Sequence, residues 1–418
     1  MKKMLTFCLS ALICCTGAVP LTSYSAESSP RISSSFIQNW YCRDWSPERW
    51  EQEFTAAGEA GFESLILQSS YDIVRGECRG EKHDPESYPS AESFCMFPSA
   101  VKADYHSSQN GGDALELALR AAKAADMKLW IGTVSDDMWW NYGWGQPDSY
   151  FVDWCGDNAK LSGSLITEIW QRYGDEYGEQ IAGWYYTNEV WNIDAACDGS
   201  DGGRYAEIIG GNIRECLESV KQSCPEKPVM ISPFYNKELS SPQQFGDFMT
   251  DLIYRSGFRF DDIYAPQDGG GRDYPPEVIR QWAVEQKSAV DGRMRFLINH
   301  ECFGSELKAM PVESFVKNYS ATADLGEGHI IFSWNHYYAP DSGLNRQFTE
   351  FNTGAVSGDV NGDGSFNVAD LVLFQRRLLA VSGAELADSK AADMCMDGIL
   401  DVFDLCAMRR ALIKNKFR

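Results

Sequence analysis

The chain is predicted to be α/β, a (β/α)8 TIM barrel followed by a small all-α module, and three observations carry that prediction. Short apolar runs alternate with amphipathic segments until eight strand candidates have passed, each of the first seven followed by a helix candidate. Nearly every run ends in polar or aromatic residues, as strands opening onto one shared mouth would. After Thr353 the alternation gives way to two copies of a loop rich in Asp, Asn and Gly. A doubly wound open sheet is the competing arrangement, but no Gly-rich phosphate loop follows the first strand.

Residues 1–26 read as a signal peptide. Met1-Lys2-Lys3 is a basic start, Leu5 to Leu21 is mostly apolar, and Ser23 and Ser25 supply small residues at cleavage spacing. The barrel is expected over 33–353. Phe36–Trp40 is its first strand, and Ser46-Pro47-Glu48 opens a helix reaching Ala60, with Pro in the first turn where an N–H is not needed. Phe62–Gln68 is the second strand. Ser69 to Gly112, rich in Gly, Pro, Ser and charge, reads as one long loop, a length usually functional or disordered. Helix Asp113–Asp126 precedes strand Lys128–Thr133, and helix Asn158–Arg172 precedes strand Ile181–Glu189. The remaining helix–strand pairs are Arg204–Lys221 with Val229–Phe234, Pro242–Ser256 with Asp262–Gln267, Pro275–Val290 with Arg295–Glu301, and Val312–Asp324 with His329–Asn335.

A formal charge of −23 over 418 residues argues against nucleic acid or an anionic membrane as partner. No internal apolar run approaches the roughly 18 residues that a membrane span needs. With the N-terminal segment, this predicts an extracellular, secreted protein. Of thirteen cysteines, Cys8, Cys14 and Cys15 leave with the signal peptide, and the rest form no C-x-x-C pair, so no zinc or redox motif is visible. Most of them read as small core residues.

The stretch Gly183 to Asn192, G-W-Y-Y-T-N-E-V-W-N, ends the fourth strand in Glu189, a carboxylate costly to desolvate unless chemistry there uses it. Glu301 ends the seventh. Two carboxylates across a barrel mouth suit glycoside hydrolysis, one protonated to donate to the leaving oxygen and one ionised to attack or to activate water. Tyr186 and Trp191 give Glu189 the apolar neighbours that raise a carboxyl pKa. Glu301, beside Asn299 and His300, is expected to stay ionised through hydrogen bonds. Either glutamate alone reads equally well as a salt-bridge partner.

Trp334, ending the eighth strand, is the expected sugar platform, and Asn188 the expected partner of a 2-hydroxyl. Tyr235, Gln267 and His336 are further candidates for holding hydroxyls, and Trp40 and Gln68, ending strands one and two, complete the substrate contacts. The Trp-rich run 136–144 offers either more platforms or a small local core, and His300 reads as a support. No cofactor is expected in the barrel, and neither a Ser-centred elbow nor a His-rich metal cluster is evident among five His.

The segments F-I-Q-N-W (36–40), L-I-L-Q (65–68), G-W-Y-Y-T-N-E (183–189), I-S-P-F-Y (231–235) and A-P-Q-D-G-G-G (265–271) resemble domain of unknown function 4434, placed among the TIM-barrel glycosidases. The placement of Asn188-Glu189 and Glu301 is similar to that in clan A retaining glycoside hydrolases. The resemblance spans most of 35–340. It implies Glu189 as acid/base and Glu301 as nucleophile.

In the module expected over 354–418, Asp359, Asn361, Asp363, Ser365, Asn367 and Asp370 fall at positions 1, 3, 5, 7, 9 and 12 of a loop with Gly364 at 6. That oxygen set suits calcium, with Ser365 offering its backbone carbonyl. A second copy begins 34 residues later with Asp393, Asp397, Ile399, Asp401 and Asp404, but Cys395 stands where Asn or Asp is wanted, and a thiol is a poor calcium ligand. Each loop runs into a helix, Leu371–Leu379 and Leu405–Ile413. The plan resembles a type I dockerin over 358–415. That resemblance implies a cohesin module of a scaffoldin as partner, met by Val368, Ala369, Arg376 and Arg377 in one copy and Val402, Phe403, Arg409 and Arg410 in the other. The whole reads as a secreted cellulosomal enzyme on plant cell-wall carbohydrate; the alternative is a non-catalytic carbohydrate-binding barrel or an interaction subunit.

Overall fold

A computed structural model describes residues 31–102, 112–142, 147–192, 202–395 and 398–415. The expected signal peptide and Asp397 lie outside the described residues. Eight parallel strands close a barrel: β1 Ser34–Ile37, β2 Ser64–Leu67, β3 Lys128–Gly132, β4 Ile181–Tyr186, β5 Val229–Ile231, β6 Ile263–Tyr264, β7 Arg295–Glu301 and β8 Gly328–Phe332. Each pairs with the next in the chain, and β8 returns to β1 through Ser34↔Ile330 and Ser35↔Ile331. Phe36, Ile66, Trp130, Tyr185, Met230, Ile263, Leu297 and Ile330, one from each strand, fill the interior. A larger apolar layer lies between strands and helices.

The outer helices are α1 Pro47–Glu59, α2 Ala114–Ala124, α3 Ser149–Tyr177, α4 Gly202–Ser223, α5 Pro242–Ser256, α6 Pro276–Val290, α7 Val312–Thr322 and α8 Asn345–Thr353. Local chemistry starts them. Ser46 and Ser241 accept from Arg49 N at 3.3 Å and Gln244 N at 3.2 Å, each followed by Pro at the first helical position. Helix α3 begins nine residues before the expected Asn158 because the Asp148 carboxylate accepts from Phe151 N at 2.9 Å and Phe151, Trp154 and Cys155 are buried.

Two expectations are corrected. Most strands are shorter than their apolar runs, since the last residues leave the ladder to build the mouth. The segment after Ser69 is not merely a loop: Tyr71–Arg75 pairs antiparallel with Ser90–Cys95 and parallel with Val134–Asp136. Charged residues within those strands hide the alternation. Nine cysteines are described, and six of them are buried.

The C-terminal module packs α9 Val368–Leu378 and α10 Val402–Asn415 over Val360, Phe374, Ala392, Leu405 and Met408. Helix α9 starts three residues before the expected Leu371 because Asn367 accepts from Ala369 N while Asp370 accepts from Asn367 N, both at 2.8 Å. No described helix is long and apolar enough to cross a membrane.

Candidate active site

Alternation along the strands sets the first polar tier. One layer above Phe36, Ile66, Tyr185, Met230, Ala265 and Leu297 come Gln38, Gln68, Thr187, Ser232, Gln267 and Asn299. The side-chain oxygens of Gln38, Gln68 and Asn299 are buried with no hydrogen-bond partner among the described residues. Buried acceptors left unpaired are costly, so a ligand hydroxyl donating to them is gained at full value. Gln68, a candidate substrate contact, belongs to this tier, and Gln267 reaches both the Ser232 carbonyl, at 3.3 Å, and the Glu189 carboxyl.

Glu189 and Glu301 stand one layer higher, both half-buried. The Trp139 indole donates to the Glu189 carbonyl at 2.9 Å, which makes Trp139 a buried support, while Trp140 is exposed. Burial pushes the Glu189 carboxyl up to about 7, with the Gln267 hydrogen bond pulling the other way. At Glu301 burial acts first and the charges of Asp268 and Glu189 add to it, pushing its carboxyl up to about 8 against backbone N–H groups at Gly271 and Gly269.

The expectation that Asn299 and His300 keep Glu301 ionised is therefore corrected. The Asn299 amide donates to Ser232 Oγ at 3.0 Å, and the His300 ring packs against Phe315 and Tyr319 of α7. The donor to Glu301 is Gly271 N, 2.9 Å from Oε2. It comes from the A-P-Q-D-G-G-G turn. The Asp268 carboxylate accepts from Gly270 N at 2.8 Å and Glu301 N at 3.2 Å, and Gly269 turns the chain at φ +86°. A Cβ on Gly271 would lie 2.8 Å from Glu301 Oε1 and 2.6 Å from Phe303 Cε2.

Three candidate substrate contacts are displaced. Trp334 is fully buried beside Phe62 because β8 stops at Phe332 and the chain turns into the short helix Trp334–Tyr337. Phe332, against Phe36 and Phe303, is the aromatic at that end of the mouth. Tyr235 is buried, stacked 4.1 Å from Trp282, and its hydroxyl donates to the Asp268 carbonyl at 2.8 Å, so it braces the turn. The Asn188 amide nitrogen faces Asn158 Oδ1 at 3.1 Å and the Tyr186 hydroxyl at 3.3 Å, which turns it from a sugar 2-hydroxyl. Trp40, 52% exposed, and His336 stand on the rim, with ring centroids 6.3 Å apart. Across from them Trp140, Trp191 and Phe234 form a second aromatic cluster. Alternation would have found Gln38 and Asn299, and Phe332 as well, two residues past the interior Ile330.

The first C-terminal loop fits calcium in both donor set and backbone. Asp359 and Asp370 are buried carboxylates; Asp359 Oδ2 accepts from Gly364 N at 2.7 Å, and Asp370 Oδ1 from Val360 N at 3.0 Å. Gly364 turns at φ +82°. The second loop repeats this frame: Asp393 accepts from Gly398 N and Asp404 from Cys395 N, each at 2.9 Å, with Gly398 at φ +74°.

The model of the family described as Domain of unknown function (DUF4434) matches residues 32–343, and that of the Dockerin type I domain matches 357–413. In structure, the chain is similar to a candidate alpha-L-fucosidase from Bacteroides thetaiotaomicron VPI-5482, with 18% identity and a TM-score of 0.56 over 84% of this chain and 99% of that one. It is also similar to the endo-1,4-beta-mannanase from Rhizomucor miehei, with 12% identity and a TM-score of 0.51 over 78% of this chain and 94% of that one. At such identities the likeness is one of fold. No curated protein matches the sequence. The match over well more than half of the chain decides membership: the chain belongs to the DUF4434 family and carries a type I dockerin domain after its barrel.

Proposed function

We propose that the barrel is a glycoside hydrolase acting on plant cell-wall polysaccharide or oligosaccharide, with Glu189 as acid/base and Glu301 as nucleophile. The observation that carries this reading is a pair of half-buried carboxyls on β7 and just beyond β4, both raised well above the ordinary carboxylate range, over a tier in which the amide oxygens of Gln38, Gln68 and Asn299 have no partner among the described residues. Part of the push on Glu301 is the charge of Glu189, so the pair holds one proton readily and two charges poorly. Backbone N–H groups aim at Glu301, whereas Glu189 has a neutral amide. The carboxyl values alone, about 7 for Glu189 and about 8 for Glu301, favour the proton on Glu301 before a sugar binds. The backbone donors are the ground for assigning the proton to Glu189 and the charge to Glu301 once a sugar lies between them. Glu189 donates it to the glycosidic oxygen, Glu301 attacks the anomeric carbon, and Glu189 then takes a proton from the water that releases the sugar, with net retention. Both fold neighbours are named for enzymes of glycosides, which agrees with the reading.

The dockerin extends it. Asp359, Asn361, Asp363, Ser365, Asn367 and Asp370 would hold one calcium ion, and Asp393, Ile399, Asp401 and Asp404, with Asp397, a second. Bound calcium neutralises the clustered carboxylates and ties each loop to its helix. Val368, Val402 and Phe403 are exposed in the first turns of α9 and α10, a surface suited to a cohesin module of a scaffoldin, outside the cell. The test is sugar release from a panel of wall polysaccharides by wild type, Glu189→Gln and Glu301→Gln, with the product anomer read by proton NMR. Release by wild type alone, with retention, is expected. Variants as active as wild type would reject the pair, and binding without release would favour a carbohydrate-binding barrel.

A further inference from the structure

Behind Glu301 lies a chain of buried polar groups that the hydrolytic scheme does not use. His300 and Asp268 are 0% and 4% exposed. His300 Nδ1 lies 2.9 Å from Asp268 Oδ2, and its Nε2 lies 3.0 Å from His329 Nδ1. The other arm of Asp268 accepts from Gly270 N and Glu301 N, in the turn that carries the Gly271 donor. We propose that His300 and Asp268 are a positioning pair for Glu301: they aim its carboxylate through the 268–271 turn, and His300 offsets part of the charge of Asp268 beside it. The rate readout below rests on the glycosidase reading; the titration does not.

Proton counting supports the offset. Burial and the charge of His300 hold His329 down to about 3, so it is neutral, and its ring donates to the Ala323 carbonyl. Assigning the His329 proton to Nε2, on the Ala323 side, leaves its Nδ1 as the acceptor, and His300 Nε2 then donates to it. The gap between His300 and Asp268 needs a further proton, which the two share, so the pair is neutral as a whole. Without that proton Asp268 would set a full negative charge against a group that it already pushes up. The other titratable groups facing the pair and Glu301 are Tyr319 on α7, Tyr235 after β5, Cys302 and Tyr337 near β7 and β8, and Glu189.

The experiment is a carbon-13 NMR titration of glutamate side-chain carboxyls in the full chain, with Glu301→Gln assigning the resonance. His300→Asn keeps an N–H donor toward Asp268 but carries no ring proton. Its Glu301 midpoint is expected to rise by about one unit, the scale of a nearby uncompensated charge, and the acid limb of kcat/KM to move with it. Adding Asp268→Asn, which still accepts both backbone N–H groups, is expected to return the midpoint to the wild-type value or below. A midpoint unchanged in His300→Asn, or one higher still in the double variant, overturns the proposal. Should His300→Asn fail to fold, Asp268→Asn alone decides: its midpoint holds or falls, and a rise refutes the pairing. A wild type that titrates as described yet releases no sugar sinks the hydrolase reading and leaves the titration to decide this one.

Discussion

Gly271→Ala tests the site at one atom. The added Cβ would sit 2.8 Å from Glu301 Oε1 and 2.6 and 2.7 Å from Phe303 Cε2 and Cζ, closer than real Cβ contacts come. The Phe303 ring is held by Phe332 and by Tyr337, stacked at 5.2 Å, so the Glu301 carboxylate is the group that yields. Moving it lengthens or breaks the 2.9 Å bond from Gly271 N. A hydrogen bond to a charged group contributes about 1.5–3 kcal/mol, and each 1.4 kcal/mol is about tenfold in rate, so kcat should fall roughly 10- to 150-fold. That bond favours the ionised carboxylate, so its loss raises the Glu301 pKa and moves the acid limb of the kcat/KM profile upward. The assay is kcat/KM against pH on whichever wall glycan the wild type cleaves, with thermal melting as a check on folding. Gly343→Ala, where a Cβ meets nothing within 4 Å, is the control. A folded Gly271→Ala with wild-type kcat and an unmoved acid limb would refute the reasoning.

Other perturbations separate site from scaffold. Glu189 and Glu301 ionise later in the folded chain than in the unfolded one, so stability is lost as pH rises from the unfolded value, about 4.3, through their folded values of about 7 and about 8. Glu189→Gln should therefore raise Tm at pH 8, leave it unchanged at pH 4, and lower kcat by about 10²- to 10⁴-fold; a variant that melts as wild type at both pH values contradicts the raised pKa. Trp334→Ala should destabilise by about 3–5 kcal/mol, as a buried Trp does, with KM little changed. Trp40→Ala, on the rim, should raise KM about two- to tenfold, the worth of one aromatic stacking contact, with Tm unchanged; the reverse pattern would put Trp334 back in the mouth. Removing calcium with a chelator should abolish cohesin capture while the isolated sugar-releasing activity persists. Asp359→Ala should remove more bound calcium than Asp393→Ala, measured by calorimetry, if the Cys395 thiol is as poor a ligand in the second loop as its chemistry predicts.

Much of the frame was legible because local chemistry and pattern agree. Helix α5 is bounded by Ser241 and Pro242 at one end and Gly257 at the other, and β7 ends where an apolar run meets Glu301, so both match their expected spans to the residue. The Glu189 and Glu301 positions were readable for the same reason: each is a carboxylate following a buried run. What escaped depends on the third dimension. Trp334 lies two residues past the real end of β8, and that end is set by neighbouring strands rather than by any change in hydrophobicity. Tyr235 reads as a strand-end hydroxyl, but its partner is a carbonyl 33 residues away. Among the described residues, the strands at Tyr71–Arg75 and Ser90–Cys95 pair only with each other and with Val134–Asp136, in a sheet separate from the barrel, and their composition resembles a loop.

The division of labour proposed for the two glutamates shows where that limit falls. Nothing in the residue type separates them, and burial raises both. The difference lies in what each can accept: Glu301 faces backbone N–H groups that cannot turn away, and Glu189 faces the rotatable amide of Gln267. Those N–H groups come near only because Gly269 adopts a positive φ and Gly271 has no Cβ between its amide and the carboxylate. The turn is in turn held from behind by Asp268, Tyr235 and His300. On this account the acid–base asymmetry is encoded less in the glutamates than in the run 268–271, and substitutions there should disturb catalysis before they disturb the barrel.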